Sequence, residues 1–353
     1  MPSAARRIFF LAACSLGAVT LAPTVSAQER LPQPWASPRA QYTQRIGITD
    51  VTVDAGRPAV KGREVWGGLV PWNEVWRCGA NENTTIHFAN DVQIEGQPLP
   101  AGTYGLHMIP TPDRWTVIFS RNSTSWGSFS YDEKEDALRV EVKPESAPMQ
   151  EWLTYAFDDL SANGATLRLH WEQLAVPIRI TVDTPKVVLD NARNNYLRGV
   201  NKFSWQGWNN AARYCLQNKV NLDEALEWSA NSVAMQERFE NLWLRARLLD
   251  ATGKTADAQT TRDRALTLGA EADINTAGYE LLQSGKAADA LALFQRNAER
   301  FPDSWNAWDS LAEANEKTGD KTKAIELYKK ALAMAPADQQ GRIEGIIKGL
   351  EGS

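Results

Sequence analysis

From about Gln41 to Val182, apolar and polar residues alternate with a period of two. In Leu167-Arg168-Leu169-His170-Trp171-Glu172 the apolar side chains fall on one face and Arg168, His170 and Glu172 on the other, and Leu138 to Lys143 repeats the pattern. Such alternation marks strands buried on one side only, as in an antiparallel sheet packed on a core. Further strands are predicted over Ile48–Val53, Thr84–Ala89, Val92–Glu95, Thr103–Ile109, Trp115–Ser120, Trp152–Phe157 and Ile178–Val182. Turn signals such as Pro100-Ala101-Gly102 and Thr111-Pro112-Asp113 separate them. Many short strands with polar turns predict an antiparallel β-sandwich or barrel-like domain over 41–183.

After Thr184-Pro185 the period becomes helical, Ala is abundant and β-branched residues thin out. A linking helix is predicted over 184–204. Beyond it stands a repeat. Trp308, Leu311, Ala312, Gly319, Ala324, Tyr328 and Pro336 are preceded, thirty-four positions earlier, by Ile274, Ala277, Gly278, Gly285, Ala290, Phe294 and Pro302. This spacing resembles the tetratricopeptide repeat, in which two antiparallel helices pack closely. Small residues at Ala277-Gly278, Ala290, Ala312 and Ala324 permit that approach. Phe294 and Tyr328 fill the space between repeats. Gly285 and Gly319 end the first helix of each pair, and Pro302 and Pro336 stop the second. Weaker copies fit near 205–236 and 239–270, and Asp338 to Leu350 reads as a closing helix. The second half is therefore an α-solenoid of about four repeats with a capping helix over 205–350.

The length of 353 residues suits these two domains. The N-terminus adds a compartment. Arg6 and Arg7 precede an apolar run from Ile8 to Ala22, and Val25-Ser26-Ala27 offers a small-residue cleavage site, so residues 1–27 read as a secretory signal peptide. Residues 28–40 read as an exposed leader. Export to the periplasm or the extracellular space is expected. Leu11-Ala12-Ala13-Cys14 resembles a lipobox, and lipidation at Cys14 is the minor alternative. No second apolar run is long enough to span a membrane after cleavage. The net charge of −5 comes without a basic block, which argues against nucleic acid as a partner. Cys78 and Cys215 remain after cleavage. A bridge between them would have to join the two domains, and two buried free thiols are the simpler expectation.

The chain shows no GxSxG elbow, P-loop, CxxC or GxGxxG after a strand. No catalytic residue, cofactor or metal is assigned. His87, His107 and His170 all fall in the β-domain, but none lies at the short spacing that makes a zinc motif specific. Charge and aromatic residues concentrate in Gly56 to Thr85. Arg57, Lys61, Arg63, Arg77, Asn81 and Glu82 lie there among glycines and Trp66, Trp72 and Trp76. Cations beside flexible turns could hold a carboxylate or phosphate. The same residues also suit an internally paired Arg–Glu network that seals one end of a sandwich.

That stretch carries a second resemblance. GRPAVKGREVWGGLVPWNEVWRCGANENTT, LPAGTYGLHMIP, WTVIFSRN, WGSFSYDEKEDALRVEVKP and LRLHWEQLAVPI are similar to the bacterial family catalogued as domain of unknown function 2911, over about 36–182. Its pattern maps onto Gly56-Arg57-Pro58, Lys61-Gly62-Arg63, Val75-Trp76-Arg77 and Gly79-Ala80-Asn81-Glu82, then onto Gly102-Thr103-Tyr104, Trp126-Gly127, Tyr131-Asp132 and Asp136. Trp72, Cys78 and His107 depart from it. The resemblance implies an exported domain, sometimes followed by tetratricopeptide repeats, and brings no catalytic assignment.

A binding and scaffold role follows for the repeats, with a protein or peptide as the partner. Their concave face is expected to show Gln206, Asn209, Arg213, Trp243, Arg247, Tyr279, Asp309 and Glu313. Two other readings stay open for the β-domain. One is a cell-envelope hydrolase with a carboxylate and arginine site around Arg57–Glu82. The other is a glycan-binding module that uses the tryptophans.

Overall fold

The structure, a computed structural model, describes residues 33–352. The expected signal peptide, its cleavage site and Cys14 lie outside the described residues. The β-domain contains β1 (Arg39–Ile46), β2 (Thr49–Gly56), β3 (Thr85–Phe88), β4 (Val92–Ile94), β5 (Gln97–Leu99), β6 (Gly102–Ile109), β7 (Trp115–Ser120), β8 (Asp136–Val142), β9 (Glu145–Ser161) and β10 (Gly164–Thr181). They form two antiparallel sheets, a six-stranded one in the order β1-β2-β3-β6-β7-β8 and a four-stranded one in the order β5-β4-β10-β9. One core joins them. Val53, Ile86, Leu106 and Phe119 from the first sheet meet Leu153, Leu167, Leu169 and Ile180 from the second. Neither sheet closes on itself, so of the two expected forms the sandwich is realised and the barrel is not.

Two strand expectations needed correction. β1 begins inside the expected leader, and its inner face of Ala40, Tyr42 and Ile46 is interrupted by Gln44. Cross-strand pairs hold its outer face: Arg39–Asp54 at 2.6 Å, Thr43–Thr52 at 2.9 Å and Arg45–Asp50 at 2.7 Å. An edge strand needs one bonded neighbour, and charges along it discourage further pairing. The segments expected at Trp152–Phe157, Leu167–Glu172 and Ile178–Val182 belong to two long strands, not three short ones. β10 continues through 172–178 with register shifts around Glu172, which takes φ 57°. Such bulges bend a strand without ending it, and β10 pairs with β9 along most of its length and with β4 at its end.

The expected linking helix is three pieces: α1 (Thr184–Asn191), a π-helical turn over Ala192–Tyr196 and a 3-10 turn over Val200–Phe203. Four antiparallel pairs follow: α2 (Trp205–Asn218) with α3 (Leu222–Met235), α4 (Phe239–Ala251) with α5 (Thr255–Leu268), α6 (Glu271–Gln283) with α7 (Ala287–Arg300), and α8 (Trp305–Thr318) with α9 (Lys321–Met334). The closing helix is α10 (Ala337–Glu351). Gly285 and Gly319 leave their helices at φ 78° and 93°, where a side chain would be strained. The close approach of α6 and α7 is equally direct. A Cβ on Gly278 would stand 2.5 Å from the ring of Phe294. Ser204 and Ser304 start α2 and α8 by accepting hydrogen bonds from Gly207 and Ala307.

Candidate functional site

The stretch from Gly56 to Thr85 wraps one end of the sandwich. Its first part runs beside β9, with Val60 N donating to Glu151 O and Leu153 N to Pro58 O. Its later part continues the line of β3 alongside β6, where Trp76 and Met108 exchange backbone bonds at 2.8 Å. The tryptophans seal the core. Trp66 packs edge-on against Trp76, Trp115 and Trp171 at centroid separations of 5.7, 4.9 and 5.6 Å. Such edge-to-face contacts stabilise by about 0.5–1.5 kcal/mol beyond area burial.

The structure does not bring the six polar candidates of this belt into one site. Arg57 donates to Leu153 O and Thr154 Oγ1, both at 2.8 Å. Arg63 turns back on its own loop and donates to Val60 O at 3.0 Å and Ala59 O at 2.5 Å. Lys61 is exposed at φ 49°, and its backbone N–H donates to the Glu151 carboxylate. Asn81 donates to Ser37 O. Glu82 pairs with Arg39 at 3.2 Å, not with Arg63 or Arg77. The expected Arg–Glu network is thus replaced by arginines that satisfy backbone carbonyls. Arg77 differs from the rest. It is half-buried, and its Nε is fully buried with no hydrogen-bond partner.

The histidines are separate. His87 bonds Thr103 Oγ1, His107 bonds Ser128 Oγ, and His170 donates to Pro148 O, at 2.8–2.9 Å. Among the described residues no three His, Cys, Asp or Glu side chains gather as metal ligands. Burial pushes the His107 imidazole down to about 4, against a smaller opposing effect of Asp136.

The repeat groove has a different character at its two ends. Toward the C-terminus most of its polar groups are already engaged. The Tyr279 hydroxyl donates to Glu313 at 2.7 Å and bonds the Ser310 hydroxyl at 3.2 Å, Arg342 holds Asp309 at 2.8 Å, and Lys317 holds Glu313 at 3.1 Å. Burial raises Asp309 despite Arg342 and pushes Tyr279 up to about 12. Toward the N-terminus some of the groups are unspent. A cavity of about 170 Å³ opens between α2, α4 and α6, lined by Arg213, Phe239, Glu240, Trp243, Arg247 and Glu280 among others. A second, of about 410 Å³, adjoins it through Phe239, Glu240 and Asp273 and includes Gln206. Phe239 and Trp243 stack at 5.5 Å, and the buried indole Nε1 of Trp243 has no acceptor. Asn209 is buried with an unpartnered Oδ1. Arg247 is spent on Glu280 at 2.8 Å. Arg213 and Glu240 line the same cavity, yet neither has a side-chain partner among the described residues.

Arg213, Trp243 and Arg247, expected on the concave face, line this cavity, and Phe239 and Glu240, which were not expected there, line it with them. Phe239 precedes Trp243 and Arg247 at four-residue spacing, which sets all three on one face of α4. That spacing was the available signal.

Residues 37–180 match the family described as "Protein of unknown function (DUF2911)", and residues 275–339 match "Tetratricopeptide repeat". The chain carries a DUF2911 domain followed by tetratricopeptide repeats. The DUF2911 match ends where the long hairpin of β9 and β10 ends. No curated protein matches the sequence. Similar solved structures include the APC/C hetero-tetramer Cut9–Hcn1, at 18% identity over 42% of this chain and 29% of that chain, with a TM-score of 0.29. They also include YrrB, "a TPR protein with an unusual peptide-binding site", at 17% identity over 44% and 83%, with a TM-score of 0.26. MamA 41-end from Desulfovibrio magneticus RS-1 matches at 19% over 42% and 93%, with a TM-score of 0.25. The chain spans less than a third of the Cut9–Hcn1 chain it matches.

Proposed function

We propose that this protein is an exported scaffold whose repeat groove takes a peptide or an exposed protein segment, while the DUF2911 domain holds a small ligand or stabilises the assembly. The observation that carries the groove reading is the unspent chemistry between α2, α4 and α6. A guanidinium and a carboxylate, those of Arg213 and Glu240, line one cavity over stacked aromatic side chains, and neither has a partner among the described residues. An extended peptide supplies the complementary carbonyls and amides, and desolvated Arg and Trp are the residue types that dominate such contacts. Export rests on Arg6-Arg7, the apolar run Ile8–Ala22 and Val25-Ser26-Ala27, and the mature N-terminus tests it.

The groove reading is tested with the full chain on an array of peptides of varied sequence. Arg213→Glu and Glu240→Lys should each weaken the selected peptides about tenfold or more. Tyr279→Phe, at the internally paired end, should leave them unchanged. Binding that ignores both charge reversals would remove the groove from consideration.

A further inference from the structure

Four arginines of the β-domain are half-buried: Arg57, Arg77, Arg139 and Arg168. Three are satisfied. Arg57 bonds a carbonyl and a hydroxyl, Arg139 pairs with Asp136 and Glu133, and Arg168 pairs with Glu145 and Asp158. Arg77 alone of the four has no hydrogen-bond or ion-pair partner among the described residues. A cation taken partly out of water without a counter-charge is costly. The guanidinium feels that desolvation, which lowers its proton affinity, and no neighbouring charge compensates it.

The local fold explains how the position arises and what it is open to. Trp76 pairs with Met108, and both side chains pack in the core. One step along the same antiparallel register sets Arg77 and His107 on the opposite, outer face of the six-stranded sheet. The segment between β7 and β8 crosses that face. Asn83 N donates to Ser125 O at 3.3 Å, and His107 bonds Ser128 at 2.9 Å. Between these anchors Gly127 is buried at φ 68°. A Cβ there would stand 3.1 Å from Arg77 Nη1 and 3.4 Å from the Phe129 ring. The bare backbone lets the guanidinium and the Phe129 ring come close to Gly127, where any side chain would crowd them.

The rim is aromatic and exposed. Phe129 is 86% exposed and Trp126 53%, and Trp35 lies 6.1 Å from Trp126. Exposed rings beside an uncompensated cation are a poor arrangement for stability alone. Together they match one kind of ligand. The planar fork of a guanidinium donates two parallel hydrogen bonds to a carboxylate, and the rings offer flat apolar surface to the body that carries it.

We propose that the DUF2911 domain binds a small carboxylate carried on a ring, with Arg77 holding the carboxylate beside Gly127 and with Trp126 and Phe129 covering the ring. This deepens the ligand-holding reading of the domain and is independent of the peptide groove. Aromatic acids and sugar acids share this chemistry, so both are probes. Benzoate, glucuronate and inorganic phosphate are titrated into the full chain by calorimetry, with indole fluorescence in parallel. Saturable binding of benzoate or glucuronate is expected, and the stronger of the two identifies the source. Arg77→Gln should abolish it without lowering the melting temperature, since it removes an unpaired charge. Trp126→Ala and Phe129→Ala, both exposed in the free protein, should weaken it about tenfold and leave folding intact whatever Arg77→Gln does. Binding of neither ring acid, binding of phosphate alone, or binding unmoved by Trp126→Ala and Phe129→Ala would overturn the proposal. Selected groove peptides bound normally by these variants would leave the scaffold reading standing.

Discussion

His107 shows how a single side chain couples the fold to pH. It is 2% exposed on the outer face of β6 under the segment between β7 and β8, and burial sets its folded value at about 4, against 6.5 when free. The unfolded chain therefore takes up a proton there before the folded chain does. Stability from this residue is complete above pH 6.5 and is lost as pH falls from 6.5 toward 4. A gap of that width amounts to about 3 kcal/mol. Carboxylates titrate in part of the same range, so the measurement is a difference. Urea unfolding of the wild type and of His107→Gln, at pH 7.5 and pH 5, should show a steeper acid loss in the wild type. Equal slopes would show that the imidazole is solvated. The histidine's chemistry was legible as a departure from the family pattern, but its burial was not. Alternation along β6 points His107 away from the core, and only the segment crossing above it removes the water.

At the scale of elements, two glycines in helices should respond oppositely to the same change. Alanine is favoured over glycine inside a helix by up to about 1 kcal/mol. Gly345 lies exposed within α10, and a Cβ there meets nothing within 4 Å. Gly345→Ala should raise stability by about 0.5–1 kcal/mol. Gly278 faces the fully buried Phe294 ring, where overpacking costs about 1–3 kcal/mol. The clash should win, so Gly278→Ala should lower stability by about 1 kcal/mol. Urea midpoints at constant slope read both, and a stabilised Gly278→Ala would mean that α6 and α7 pack more loosely than described. The repeats were readable because each position serves a contact inside a short unit. Small residues, a C-terminal glycine and an aromatic filler recur at fixed spacing, and the distance between their partners is local. β1 was missed because its polar residues are satisfied only by pairing. Its outer partners Asp54, Thr52 and Asp50 lie on the neighbouring strand, and Gln44 breaks the apolar face that Ala40, Tyr42 and Ile46 begin.

At the scale of the molecule, the two thiols report on the separate cores. Cys78 is buried in the sandwich core and Cys215 in the helical cluster around α2 and α3, and both are free. Burial raises both thiols, Cys215 to about 11, which keeps thiolate scarce at neutral pH. Envelope-fraction protein should begin at Gln28, leave a thiol reagent unconsumed while native, and react at both cysteines in denaturant. A mature chain starting at Cys14, or fast native labelling, would contradict this.

The sequence alone determined the two classes of structure and their order, because strand and helix periods and the repeat spacing are set by residues close along the chain. It also determined which residue types crowd Gly56–Thr85. Only the tertiary structure decided what those residues do. Arg57 and Arg63 meet carbonyls, Glu82 meets Arg39 across the sheet, and Arg77 is left without a partner among the described residues. Likewise the groove is spent at one end and open at the other because Arg342 of α10 and Glu313 of α8 reach back to Asp309 and Tyr279. Whether a charge is free depends on groups brought beside it from far along the chain, and a charge looks the same in the sequence whether or not they arrive.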